Sequence, residues 1–276
     1  MKIAYTSWTW IHCNNADEGK WQLKQSFKEL KHIGYDVVEN FAFISDFYKE
    51  NPQELVEMTK EVGVELANLY GHFNFDIEGS LKTAMAQIDF LAACGIPYFN
   101  CQNGGFGDDG PIERPSDIEK LDITCEICNR LGEYAIKKGV KVCFHPHHGT
   151  CVFSQAEIDY LAAHTNPEYV FFCFDTAHTT IAGINPVDLI HQYGKRIAYM
   201  HLKDVDTYAL AHCKVEEKMS TFRELGYGEV NFRAVKAALE EEGYDGVLCV
   251  ELDDPTLCNY HAATVSREYI RNVLKL

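Results

Sequence analysis

The chain has 276 residues and a formal net charge of −16, so its surface repels nucleic-acid phosphates and anionic lipids and excludes both as expected partners. Apolar residues make up 46% of it, enough for a sizeable core, yet no run of about 18 apolar residues is present to cross a bilayer. The 11 cysteines are an odd number, and Cys143, Cys173 and Cys249 fall in predicted strands, so they read as small core residues of a reducing compartment.

Met1-Lys-Ile-Ala-Tyr-Thr-Ser7 lacks the basic-then-apolar layout of a signal peptide, and a cytoplasmic protein is expected. In chain order the predicted strands are Lys2–Ser7, Tyr35–Glu39, Glu65–Tyr70, Tyr98–Gln102, Val140–His145, Val170–Asp175, Ile197–His201 and Gly246–Glu251. Between and after them, apolar residues at three- and four-residue steps predict helices. These are Trp21–Ile33, Pro52–Val62, Ser80–Cys94, Asp117–Lys138, Gln155–His164, Pro186–Tyr193, Phe232–Glu242 and Ala262–Leu276. Gly34, Gly63, Gly95, Gly139, Gly194 and Gly243 each follow a helix and mark its C-terminus. Ser154 and Asn185-Pro186 mark N-termini. Cys125-x-x-Cys128 sits in a helical pattern with no second pair nearby and reads as two helix-face residues.

Eight such units without a break in composition predict an α/β fold, a (β/α)8 TIM barrel, as one domain over 1–276. An open doubly wound sheet is the alternative, but no glycine fingerprint follows the first strand. Asn103-Gly-Gly-Phe-Gly107 follows the fourth strand and opens no immediate helix, so it reads as a flexible active-site loop and not a nucleotide cradle.

Chemistry in such a barrel gathers at the C-terminal strand ends. Those ends hold Trp8 and Trp10, Glu39, Tyr70 and His72, Asn100 and Gln102, His145, His147 and His148, Asp175 and His178, His201, Lys203 and Asp204, and Glu251. Six of the 12 histidines are in that set. His145, Asp175, His201 and Glu251 close strands five to eight, and adjacent strands lie about 5 Å apart, so these ends can share one divalent metal. Two imidazoles with two carboxylates suit Mn, Co, Fe or Zn better than Ca, with Mg also in range. Other uses stay open for each motif alone. Asp175 can cap a helix, His145-Pro-His-His148 can be an incidental turn, and His201-Leu-Lys-Asp204 a solvated loop. Glu251, at the end of an apolar strand, needs a partner. Trp8, Trp10, Tyr70, His72, Asn100, Gln102 and Arg223 are the candidate substrate-binding residues, with Phe41, Phe43 and Phe73 as further pocket walls.

Phe174-Asp-Thr-Ala-His178, Arg196-Ile-Ala-Tyr-Met-His-Leu-Lys-Asp204, Gly226-Tyr-Gly-Glu-Val-Asn-Phe232 and Gly243-Tyr-Asp-Gly-Val-Leu-Cys-Val-Glu251 resemble the xylose isomerase-like TIM-barrel superfamily of sugar isomerases and epimerases. The resemblance spans nearly the whole chain. It implies a Glu, Asp, His and Glu from strands five to eight on one divalent metal, matching positions 145, 175, 201 and 251. Position 145 departs, because His145-Pro-His147 stands where epimerases of the superfamily usually have Glu-Pro-His. Only Glu251 of their glutamate pair remains. The run His145-Pro-His-His-Gly-Thr150, with Ala182-Gly-Ile-Asn-Pro-Val-Asp-Leu-Ile190, resembles the inosose dehydratase branch.

The expected activity is that of a metal-dependent hydro-lyase on a keto-polyol or keto-sugar, passing through an enediolate, with Glu251, His147, His178 and Lys203 as catalytic candidates. Histidines at strand five favour elimination, which needs an acid for the leaving hydroxyl. A sugar or keto-sugar isomerase or epimerase is the alternative. An apurinic/apyrimidinic endonuclease, opposed by the acidic charge, and a non-catalytic sugar-binding barrel are the remote ones. The expected partner is a small polyol or sugar, with self-association into a homo-oligomer compatible with the chain.

Overall fold

A computed structural model describes residues 1–103 and 118–276, without the side chain of Val215. Eight parallel strands close into a barrel. They are β1 Lys2–Thr6, β2 Val37–Phe41, β3 Glu65–Phe73, β4 Tyr98–Asn103, β5 Lys141–Phe144, β6 Val170–Asp175, β7 Ile197–Leu202 and, after a two-stranded hairpin of β8 Asp204–Val205 with β9 Phe222–Arg223, β10 Val247–Val250. β10 pairs with both β7 and β1, which closes the ring. The (β/α)8 barrel read from the alternation is therefore the fold.

The helices start where side chains satisfy their free N–H groups. Asn15 accepts from Glu18 at the head of helix Ala16–Ile33, and Asp76 accepts from Gly79 at the head of Ile77–Cys94. Both helices begin before the first apolar residue of the expected pattern, because capping and not periodicity sets the start. Glu157 Oε2 accepts from the Ser154 N–H at 2.8 Å at the head of helix Gln155–His164, and Asn185 accepts from Val187. Gly194 departs from the other helix-ending glycines. Its φ is −41°, and a Cβ there would meet the Glu242 side chain, so close approach explains it, not left-handed backbone. The glycine-rich run over 104–107 and residue 117 lie outside the described residues.

Two cores follow from the layering. Leu23, Phe27, Leu30, Phe99, Leu131, Phe144 and Phe172 belong to the large core between strands and helices. A smaller one holds Ala4, Ala67, Cys143, Cys173, Tyr199 and Cys249, where small residues leave room for one tyrosine. The predicted reading of the strand cysteines holds. All 11 cysteines are free, and burial pushes the thiols of Cys143, Cys173 and Cys249 up, away from reactivity. No helix among the described residues is long and apolar enough to cross a membrane.

Candidate metal centre

Four strand ends bring two imidazoles and two carboxylates together. His145 follows β5, and its N–H donates to Cys101 O at 2.7 Å, extending the ladder by one residue. Asp175 ends β6 directly opposite His201 of β7. Glu251 follows β10, its N–H donating to Leu202 O at 3.2 Å. Parallel register thus aims all four side chains at the same barrel end. They are at most 6% exposed, and one ligand atom from each lies within 4.8 Å of the others.

The unsatisfied atoms point to a cation. Among the described residues, neither ring nitrogen of His145 has a hydrogen-bond partner, nor does Asp175 Oδ2, 3.9 Å from His145 Nε2. His201 Nδ1 lies 2.9 Å from Glu251 Oε2 and still makes no hydrogen bond. An unpartnered buried polar atom costs about 1–3 kcal/mol, and one shared divalent ion would satisfy one nitrogen of His145 together with Asp175 Oδ2 and His201 Nδ1. The residues present therefore fit such an ion. Asp175 has a second task. Its Oδ1 accepts from the N–H groups of Ala177 and His178 at 2.6 and 3.0 Å and caps helix Thr176–Ile181. The cap reading and the ligand reading each use one oxygen.

Lys203 sets the local charge. Its ammonium is fully buried, 3.2 Å from Glu251 Oε2, 3.6 Å from Asp175 Oδ2 and 2.9 Å from Asp253 Oδ2. Burial alone would discharge it, but Asp253, Glu251 and Asp175 hold its pKa well above the ordinary lysine value. In return, burial pushes the Glu251 carboxyl up but Lys203 and His201 override it and hold it well below the usual range. Asp175 is lowered too, by Lys203 and His145 against burial. Burial lowers His145 and drives His147 and His178 well below a free imidazole. His201 goes the other way. Burial lowers it, but Cys173, Glu39 and Glu251 outweigh that and raise it.

Beside the cluster lies a cavity of about 170 Å³ lined by Trp8, Phe41, Tyr70, His72, Gln102, His147, Met219, Glu251 and Asp253. Trp8, Phe41 and Tyr70 form a stacked aromatic series with centroids 5.0 and 5.1 Å apart. Tyr70 O–H donates to Gln102 Oε1 at 2.6 Å. His147 Nδ1 is 2.6 Å from the His148 carbonyl, which can only accept, so Nδ1 carries the proton and Nε2 keeps its lone pair.

Of the sequence candidates, Trp8, Phe41, Tyr70, His72, Gln102, His147 and Glu251 come to this cavity. Trp10 does not. Its indole N–H donates to Glu29 and its ring packs edge-on against Tyr5. Asn100 is buried below and bonds to Glu39. His178 stands behind His147, ring centroids 3.8 Å apart, and its Nδ1 accepts from His148 N–H. Arg223 lines a second, outer cavity with Met219 and Asp253. Phe43 contacts Phe47, and Phe73 packs against Phe144 in the core. Three residues were not singled out from sequence. Asp253 and Met219 reach the cavity, and Asn68 donates to Glu39. For Asn68 a signal existed, since it precedes Tyr70 by two and His72 by four and so shares their face of the strand.

The chain matches the family model described as xylose isomerase-like TIM barrel over residues 27–275. The inosose dehydratase of Lacticaseibacillus casei is 33% identical over 269 residues, spanning 90% of this chain and 88% of its own. That of Clostridium botulinum (strain Alaska E43 / Type E3) is 28% identical over 291 residues, spanning 98% of this chain and 96% of its own. Among solved structures, an IolI protein with a bound zinc atom superimposes with a TM-score of 0.78 at 19% identity, over 100% of this chain and 98% of its own. The probable 3-DHS dehydratase AsbF from Bacillus anthracis gives 0.78 at 13% identity, over 99% and 100%. These structural likenesses speak to the fold, while the sequence match over most of the length speaks to descent. The chain belongs to the xylose isomerase-like TIM barrel family.

Proposed function

We propose that the protein is a divalent-metal-dependent hydro-lyase acting on a cyclic keto-polyol of the inosose type. The observation that carries the reading is the four-residue cluster of His145, Asp175, His201 and Glu251 opening onto an aromatic-walled cavity. Full-length similarity to inosose dehydratases supports it. A divalent ion on those four residues supplies Lewis acidity towards a substrate carbonyl and its neighbouring hydroxyl.

The side chains then divide the work. Trp8, Phe41 and Tyr70 present flat apolar faces to the C–H face of a polyol ring, and Gln102 and His72 are within the same wall for its hydroxyls. Neutral His147, with Nε2 as acceptor, takes the proton from the carbon next to the carbonyl. Glu251, held well below the usual carboxylate range by Lys203 and His201 against burial, stays an anion and serves the metal. Asp253, which follows β10, faces the cavity three strands round from β5, the strand that His147 follows, and burial raises its carboxyl despite Lys203. It is the better donor to the departing β-hydroxyl, with the Lys203 ammonium 2.9 Å away to stabilise the anion left behind. One C–H and one C–O bond break, a C=C bond forms, and water leaves.

The metal-loaded protein is expected to dehydrate 2-keto-myo-inositol, read by the ultraviolet absorbance of the dione. Interconversion of ketoses with no dione would overturn this in favour of an isomerase or epimerase. Structural neighbours that include a 3-keto-D-glucoside 4-epimerase keep that second reading in view.

A further inference from the structure

Below the four-residue cluster lies a carboxylate with no part in the assignment above. Glu39 of β2 is fully buried. Its Oε2 is 3.1 Å from His201 Nε2 and accepts from Asn68 Nδ2 at 2.7 Å and Asn100 Nδ2 at 3.4 Å. Its Oε1 has no hydrogen-bond partner among the described residues. Asn68 cannot turn over, because its Oδ1 accepts from the backbone N–H of Asn100 at 2.8 Å. Two amides on neighbouring strands therefore hold the carboxylate in place, and its remaining neighbour of consequence is the imidazole.

We propose that Glu39 is the positioning residue for the metal ligand His201, holding the imidazole as the Nε2–H form so that Nδ1 offers its lone pair to the ion. The inference rests on the metal-centre reading. A carboxylate oxygen accepts, so the Nε2 facing it donates. The opposite nitrogen, Nδ1, is the one 2.9 Å from Glu251 Oε2, inside the ligand cluster. Carboxylate, imidazole and ion then form one line across the barrel, from β2 to β7, strands that are not neighbours in the sheet. Such an outer carboxylate fixes ring orientation and raises ligand basicity, and its loss weakens metal binding about 10- to 100-fold. Glu39, His201 and Cys249 also converge within 4.8 Å, so a second ion on the Nε2 side is the rival arrangement.

The test uses the full chain as wild type, Glu39→Gln and Glu39→Asp, stripped with chelator and titrated with cobalt(II). Binding is followed by visible absorption, and bound metal is counted by elemental analysis. Wild type is expected to bind one ion. Glu39→Gln, near in shape, should bind it about 10- to 100-fold more weakly with an altered spectrum, while melting near wild type without metal. Glu39→Asp should recover part of the affinity. Wild-type affinity and spectrum in Glu39→Gln would overturn the proposal and leave the metal centre standing. Two ions per chain would overturn it by making Glu39 a ligand itself. No ion bound by wild type would overturn both readings. If Glu39→Gln does not fold, nitrogen-15 NMR of histidine in the metal-loaded wild type decides. The expected signature is a proton on Nε2 of His201, and a proton on Nδ1 would overturn the proposal.

Discussion

Lys203 is the residue whose removal has the plainest consequence. Its ammonium is within 3.6 Å of the carboxylates of Asp175, Glu251 and Asp253. Breaking a buried charge pair from one side costs about 3–5 kcal/mol, because the partner charges stay buried and uncompensated. Lys203→Met should therefore lower the melting temperature sharply in chelator and much less with saturating zinc or manganese, since the ion neutralises the same oxygens. Equal loss with and without metal would show that Lys203 does not share carboxylates with the ion. Asp175 allows a finer dissection. Asn at 175 keeps an oxygen for the cap on Ala177 and His178, and Ala keeps none. Both substitutions should abolish tight metal binding. Asp175→Ala should be the less stable in chelator by about 0.5–2 kcal/mol, the usual worth of an N-cap. Denaturant titration of the two variants compares them directly.

At the level of elements, the segment between β7 and β10 is tied down by one side chain. Asp204 Oδ1 accepts from Val205 and Val230 and Oδ2 from Gly226 and Gly228, all at 2.9–3.0 Å. Gly228 is needed for this closeness, since a Cβ there would run into Val205 O and the Asp204 carboxylate. The clamp holds the β8–β9 hairpin, whose approach carries Met219 to the cavity wall. Asp204→Ala strands several backbone N–H groups at about 1–3 kcal/mol for each that stays dry. Hydrogen exchange is expected to quicken over 225–231 more than in the barrel strands; unchanged exchange there would remove the clamp from the account. The same segment shows where sequence reading stops. The eight barrel strands were legible because each is a buried apolar run ended by a polar residue, and His145, Asp175, His201 and Glu251 sit at those ends in register. The hairpin was not legible, because strands of two residues carry no periodicity. The Glu39–Asn68–His201 contact was not legible either, because it exists only once closure brings β2 across from β7. Trp10 shows the converse. It sits beside Trp8 in sequence, yet a short helical turn over Trp8–Trp10 sends the two rings to different surroundings.

Across the whole molecule, burying so many histidines makes stability depend on pH. Burial lowers His72, His145, His147 and His178 below the free value, with His145 also lowering His72 and His147. These groups take up protons in the unfolded chain at a pH where the native chain refuses them. Stability therefore falls as pH drops below about 6.5, the unfolded histidine value, at up to about 1.4 kcal/mol per pH unit for each proton of difference. His201 is raised instead, so it is charged in both states below that value and adds no slope there. Its contribution is lost as pH rises from about 6.5 through its folded pKa. Glu251 is depressed, and its contribution is lost only as pH falls below about 4.5 towards its folded pKa. The metal-free protein should thus be most stable near pH 6.5 and melt at lower temperature at pH 5. A His178→Gln variant should show a shallower decline, as it removes one of the four protons without replacing a ligand. A metal ion shifts the upper limb. It must displace the His201 proton, so affinity should rise between pH 6 and 8, with proton release that calorimetry in buffers of different ionisation enthalpy detects. Affinity independent of pH over that range, with no proton released, would mean that His201 is neutral before the ion arrives.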